Sequence, residues 1–323
     1  MGLRIQQTSY YVPPKIVTND DLTQLMETSD EWITSRTGIK QRHLSENEQT
    51  SDLAYQVAKQ LLAQANVEAK SVDFIIVATM SPDYQTPSTA ALVQGRLGAS
   101  QAFAFDISAA CSGFIYALAL ADKLLQGSYQ RGLVIGAETL SKLIDWQARS
   151  TAVLFGDGAG GVLVEAAPQV PGIVAEDLQT LGDQFQALTA GYLPLNSAFT
   201  KDSTEAKQHY FQMDGHAVYR FATHVVPDSV QKVVKQAQWS LADVDHFLLH
   251  QANGRMLKVI AQHLDQPLDK FLQNVAEFGN TSAASVPILL AQSVAQGLIT
   301  RQQKLVLSGF GGGLTAGSLA LIY

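Results

Sequence analysis

The chain has 323 residues, 46% of them hydrophobic and only 16% charged, with 22 lysines and arginines against 29 acidic residues for a net charge of −7. Soluble proteins average about 25% charged residues, so this shortage points to a large interior and a buried subunit interface. High apolar content without a compositional repeat excludes disordered, collagen-like and coiled-coil classes, net acidity argues against nucleic acid as a partner, and the single cysteine excludes a disulfide framework or a multi-cysteine zinc site.

Residues 1–7 hold no apolar core of signal-peptide length, and Gln6 breaks the myristoylation pattern that Gly2 would open. The longest apolar runs, residues 74–80 and 114–121, fall well short of the ~18 residues that suggest a membrane span, so a cytoplasmic protein is expected. Residues 72–79 (VDFIIVAT) read as a buried strand, and 112–126 as a helix apolar on nearly all sides. Residues 133–136 (LVIG) and 162–165 (VLVE) read as two further strands. Apolar strands separated by helices predict an α/β layered fold with sheets covered on both faces.

The second half repeats the first. Residues 244–249 (VDHFLL) echo 72–77 at an offset of 172 residues, and 305–307 echo 133–135 at the same offset. Residues 291–297 echo 121–127 at 170, and 317–321 echo 160–164 at 157. The shortened last offset predicts an extra loop around residues 140–153 of the first half. Four matches in order predict an internal duplication, with a seam at Pro168 to Pro171 and halves of residues 1–170 and 171–323. Such halves pack about a pseudo-twofold axis, with a site between them.

Two glycine runs imitate nucleotide-binding loops: Gly156, Gly158 and Gly161, and Gly311, Gly313 and Ala316. That motif needs a following helix whose N-terminus meets the pyrophosphate, whereas each run here leads into a strand. The glycines are expected to permit positive φ and close backbone approach. His246 and His250 have the spacing of a helical metal pair, but on a strand four residues span ~13 Å, too far to share one ion. No G-x-S-x-G elbow, P-loop or H-E-x-x-H is present.

That leaves Cys111. Small residues precede it and the 112–126 helix follows, so it is placed at a buried helix N-terminus. An ordinary thiol has a pKa of ~8.5, and a helix N-terminus with a nearby imidazole commonly lowers it. Ala109, Ala110 and Gly113 leave room for an acyl group on sulfur. His250 ends the VDHFLLH run, at a strand edge where sites form in α/β folds, and Asn280 precedes a second helical run. Each also has a plain reading: Cys111 as a small buried apolar residue, His250 as a core histidine, Asn280 as part of a helix cap. From the residues alone a Cys–His–Asn site and this plain reading both stay open.

The motifs around these residues resemble those of the β-ketoacyl-acyl carrier protein synthase III family, thiolase-fold condensing enzymes. They are Asp30-Glu31-Trp32-Ile33 with Arg36-Thr37-Gly38-Ile39, Ala109-Ala110-Cys111-Ser112-Gly113-Phe114, and Phe155-Gly156-Asp157-Gly158-Ala159-Gly160. His250-Gln251-Ala252-Asn253, Gly279-Asn280-Thr281-Ser282 and Phe310-Gly311-Gly312-Gly313 complete the set, which runs in family order over essentially the whole chain. The resemblance implies a thiolase-like fold of duplicated αβα layers. It further implies a homodimer that initiates fatty acid biosynthesis without a metal or cofactor. Cys111 would take an acyl group from acyl-CoA, and malonyl-acyl carrier protein would lose CO2 and attack the thioester. His250 and Asn280 would steady the enolate, and backbone N–H groups of Cys111 and Gly312 the tetrahedral oxyanion.

The same resemblance implies that Trp32, Arg36, Arg149 and Asn253 contact CoA, and that Arg220, Arg255 and Lys258 meet the acidic carrier protein. Thr86 stands where many relatives carry a bulky aromatic that reaches into the neighbouring subunit's acyl pocket, which predicts tolerance of starters longer than acetyl. His216 stands where relatives often carry asparagine near the CoA tunnel. The alternatives are a polyketide or secondary-metabolite starter synthase of the same fold, a thioester hydrolase or simple acyltransferase, and a non-catalytic protein with a buried thiol.

Overall fold

The computed structural model describes residues 2–167, 172–195, 197–199 and 209–323. The expected seam at Pro168 to Pro171, and with it the boundary between the halves, lies outside the described residues.

Among the described residues, apolar runs and turn residues build two large sheets, beside two small two-stranded ones. Strands β1 (Gly2–Tyr11), β2 (Phe74–Ala78), β3 (Phe103–Ile107), β4 (Arg131–Glu138) and β5 (Gly158–Ala167) form one, in the order β1-β5-β4-β2-β3. Strands β6 (Ile173–Thr180), β7 (His246–Leu249), β8 (Lys304–Gly311) and β9 (Thr315–Ile322) form the other, in the order β7-β8-β9-β6. The pairings match: β2 with β4 and β7 with β8 are parallel, and β4-β5-β1 and β8-β9-β6 are antiparallel throughout. Even the parallel β2–β3 pair has a trace in the second sheet, a parallel bridge between Phe247 and Phe271. The predicted extra loop between β4 and β5 carries a 3-10 turn, Leu140–Leu143, and a short helix, Arg149–Ala152, whereas β8 reaches β9 through three residues.

The helices complete a five-layer stack. Helix α1 (Asp30–Thr37) starts on the Ser29 cap and stops at Gly38, where φ is +80°. Helices α2 (Thr50–Ala65) and α3 (Thr89–Leu97) cover the outer face of the first sheet. Helix α4 (Gly113–Gln126) and its counterpart α7 (Ser285–Ala295) fill the layer between the sheets. Helices α5 (Gly215–Gln236) and α6 (Gly254–His263) cover the outer face of the second sheet. Burial on nearly every side of α4 and α7 follows from this central position. Among the described residues no helix is long and apolar enough to cross a membrane.

The glycines of the Phe155 to Gly160 run let α7 approach the first sheet. A Cβ on Gly160 would stand 2.5 Å from the Ile288 nitrogen, so helix and strand could not meet as closely with any larger residue. Close approach is therefore what this run supplies, with none of its glycines at positive φ; the expected positive φ occurs in the second run, at Gly313, where φ is +135°.

Candidate active site

Cys111 sits where β3 gives way to α4. The chain leaves β3 at Ile107, passes through a 3-10 turn at Ala110–Ser112 and enters α4 at Gly113. Ala110 is held at φ +45°, a conformation unfavourable for a residue with a Cβ. The turn is tied down by its neighbours: Ser112 Oγ donates to the Ala109 carbonyl at 2.7 Å and stands 2.6 Å from Thr315 Oγ1. The end of β8 closes over the thiol so tightly that a Cβ on Gly311 would lie 3.0 Å from Cys111 Sγ.

His250 follows β7 directly. Its N–H donates to the Ser308 carbonyl at 2.8 Å, and its ring meets Phe310 edge-on at 5.1 Å between centroids. Its neighbour Gln251 anchors the segment, donating its N–H to Ser285 Oγ at 2.7 Å and accepting from the Asn274 N–H at 3.1 Å. Asn280 is gripped by the first sheet's extra loop: its N–H donates to the Leu154 carbonyl at 2.9 Å, and its carbonyl accepts from the Gly156 N–H at 3.0 Å. Asn280 Oδ1 accepts from the Ser282 N–H at 2.9 Å, which leaves Nδ2 without a hydrogen bond among the described residues. The amide is thereby oriented as a donor.

Cys111, His250 and Asn280 line one cavity of about 1390 Å³, together with Phe310, Gly311 and Gly312. Desolvation governs its ionisation. Burial pushes the His250 imidazole down to about 3 and the Cys111 thiol up to about 12. The thiol therefore moves opposite to the direction expected from a helix N-terminus and an imidazole. A neutral imidazole offers no positive charge, and burial between two sheets outweighs the helix end. At neutral pH the resting site holds a neutral thiol and a neutral imidazole, whose Nδ1 has no hydrogen-bond partner among the described residues.

The outer part of the cavity is lined by Trp32, Arg36, His216 and Asn253. The Arg36 and Arg149 guanidinium carbons lie 4.9 and 4.5 Å from the Trp32 ring centroid, so one indole carries two cations. Arg149 is not part of the cavity wall; it donates to the Glu27 carbonyl at 2.9 Å. Asn253 is engaged structurally: Oδ1 caps α6 at the Arg255 N–H, 2.8 Å, and Nδ2 donates to the Arg36 carbonyl at 3.0 Å. Arg220 on α5 and Arg255 and Lys258 on α6 are exposed and lie outside the cavity wall. Thr86 is exposed and also outside it, although Tyr84 and Gln85 beside it contribute to the lining.

Sequence reasoning missed Glu138, a fully buried carboxylate at the end of β4. It accepts from Ser81 Oγ at 2.5 Å, Thr79 Oγ1 at 3.1 Å and the Met80 N–H at 3.1 Å, and burial pushes it up to about 7. Its only signal was an acid directly after an apolar run. Among the described residues no group of three His, Cys, Asp or Glu side chains is arranged to hold a metal.

Comparison with known proteins adds to this geometry. Residues 105–182 match the family model for 3-oxoacyl-[acyl-carrier-protein] synthase III, and residues 234–323 match that for its C-terminal part. The chain is 55% identical over 319 residues to a β-ketoacyl-[acyl-carrier-protein] synthase III of Streptococcus equi, covering 98% of both proteins. It is 54% identical to one of Limosilactobacillus reuteri, covering 100% of this chain and 99% of that protein. The crystal structure of a 3-oxoacyl-[acyl-carrier-protein] synthase III from Aquifex aeolicus superposes with a TM-score of 0.93 at 40% identity, covering both chains completely.

Proposed function

Since this chain belongs to the 3-oxoacyl-[acyl-carrier-protein] synthase III family of thiolase-fold condensing enzymes, we propose that it joins an acyl group from acyl-CoA to malonyl-acyl carrier protein with loss of CO2. The products are 3-oxoacyl-acyl carrier protein, CoA and CO2, and the reaction begins fatty acid biosynthesis. The observation that carries the reading is the convergence of Cys111, His250 and Asn280 on one cavity whose mouth presents Trp32 and Arg36.

In the first stage Cys111 sulfur attacks the acyl carbonyl, the carbon–sulfur bond to CoA breaks, and the thiol proton leaves with CoA as its own thiol. Splitting transfer through a thioester replaces one hard step by two easier ones. The Cys111 and Gly312 backbone N–H groups are assigned to the oxyanion formed there. In the second stage malonyl-carrier protein loses CO2, and the enolate carbon attacks the Cys111 thioester and releases the sulfur as thiolate, which takes one proton from solvent to restore the neutral thiol. A neutral His250 and the free Asn280 amide suit this stage, because each donates a hydrogen bond to an enolate oxygen without adding a proton to it. Acyl-CoA is consumed as a substrate, and no metal or cofactor is assigned a step.

Trp32, Arg36 and Arg149 are assigned to the CoA nucleotide, with one guanidinium yielding its ring face to adenine. Asn253 is assigned to pantetheine through its place in the wall. Arg220, Arg255 and Lys258 supply a local basic patch for the carrier protein on a chain of net charge −7, so docking is salt-sensitive. The working unit is read as a cytoplasmic homodimer of chains with halves 1–170 and 171–323, in which Thr86 faces the partner's acyl pocket and leaves space beyond acetyl. An acyl-CoA panel tests the scheme: acetyl- and butyryl-CoA should each add one acyl mass to Cys111, and malonyl-carrier protein should then convert it to ketoacyl product. An unchanged mass would refute the covalent route, free acid as the sole product would make the protein a hydrolase, and refusal of butyryl-CoA would remove the role given to Thr86.

A further inference from the structure

Glu138 occupies the junction of three segments that build the site. Its carboxyl receives Thr79, Met80 and Ser81 from the loop after β2, and the Ala283 N–H of the 3-10 turn Ser282–Ala284 approaches it at 3.5 Å. That turn packs against the one holding Cys111: a Cβ on Gly113 would touch both Ala78 and Ala283, at 3.1 and 3.6 Å. Thr79, Met80 and Ser282 in turn line the cavity. We propose that Glu138 is a positioning residue of this site, tying the loop after β2 to the turn beyond Asn280, and that its charge sets the reactivity of Cys111.

The electrostatics follow from burial. Burial opposes the carboxylate, the donors gathered on it favour it, and the balance leaves the carboxyl at about 7. A carboxylate and a thiolate in one water-poor interior repel, so the charge on Glu138 disfavours the Cys111 thiolate. The segments at residues 79–81 and 282–284 bring no ionisable side chain. The 140–143 turn brings Lys142, held below its ordinary value by burial and facing Asp83, Glu138 and Asp157. Asp157 is saturated by Ser45 and Ser141. His250 stays neutral down to about 3 and adds no inflection above it.

Cys111 is the sole cysteine, so iodoacetamide reports on it alone, the thiolate displacing iodide to form a thioether. The logarithm of the alkylation rate should rise with pH at unit slope, flatten near 7 as Glu138 ionises, then resume. In Glu138→Gln the flattening should vanish. Its rate should match the wild type at pH 5.5 and exceed it at pH 9 by about tenfold, the factor equal to one pKa unit of coupling. Glu138→Asp, which keeps the charge, should keep the flattening. A straight wild-type line of unit slope from pH 5.5 to 9 would overturn the proposal without any variant. So would a Glu138→Gln curve that superposes on the wild type, or a Glu138→Asp curve that behaves as the glutamine variant does. The inference rests on the proposed nucleophile only for its catalytic consequence, since failure of acyl-CoA to load an alkylatable Cys111 would overturn that reading alone.

Discussion

Replacing Gly311 by alanine should disable the thiol while sparing the fold. Gly311 ends β8 opposite Thr315, and its backbone lies outside the left-handed region, so alanine meets no conformational barrier there. The new methyl would stand 2.9 Å from Cys111 Cβ, 3.0 Å from Sγ and 3.1 Å from the Cys111 nitrogen. Ordinary carbon contacts are about 3.5–4.0 Å, so Cys111 must retreat by roughly 0.5–1 Å. Overpacking of this size costs about 1–3 kcal/mol of stability, a lowering of the melting temperature by several degrees. Misplacing a reacting atom by about 1 Å costs on the order of 100-fold in rate, or ~2.7 kcal/mol. The assay is the rate of Cys111 loading by acetyl-CoA, read by intact mass beside a thermal melt. Gly312→Ala is the control: its methyl would sit 3.3 Å from the Leu188 carbonyl and 3.5 Å from Ala110 Cβ, and the backbone N–H survives. It should load within about threefold of wild type, under 1 kcal/mol. Wild-type loading by Gly311→Ala, or equal losses in both variants, would refute the reasoning.

Two further outcomes are expected. Asn280→Ala should slow condensation with malonyl-carrier protein by about 100-fold, the worth of one enolate donor, while Cys111 loading by acyl-CoA changes less than about threefold; equal losses in both half-reactions would contradict the assignment. His250, held at about 3, binds no proton in the folded protein until far below the 6.5 at which the unfolded chain takes one, so stability falls as pH drops through this window. The full effect is about 5 kcal/mol, of which about 3 kcal/mol falls between pH 6.5 and 4, and in urea titrations over that range His250→Phe should remove that part of the acid destabilisation.

Strands β2, β4 and β8 were legible because interior strands buried on both faces read as unbroken apolar runs. Strands β1 and β6 were not: as edge strands they mix polar with apolar residues, and GLRIQQTSYY carries no continuous signal. The duplication was legible from four echoes because the paired elements occupy equivalent places in the two sheets. Cys111, His250 and Asn280 stood out as polar or reactive residues at the ends of apolar runs. The direction of the thiol's shift was hidden, because a helix N-terminus is a local feature while desolvation sums over segments distant in the chain, the end of β8 at Gly311 among them. Likewise, nothing near Asn253 in the chain announces that its amide is already bonded to Arg36, or near Glu138 that residues 79–81 would gather around it.

The grip of Leu154 and Gly156 on Asn280 bears on how the protein is made. The proposed nucleophile, Cys111, is synthesised early, and the Asn280 amide emerges from the ribosome only after more than half of the chain has followed. Until residues 154–156 close on that late segment, the newborn thiol has no second half of a pocket around it and no place to hold an acyl donor. Under the proposed mechanism, chemistry on Cys111 thus waits for the segment around Asn280, because a polypeptide that stops before it lacks that part of the cavity wall.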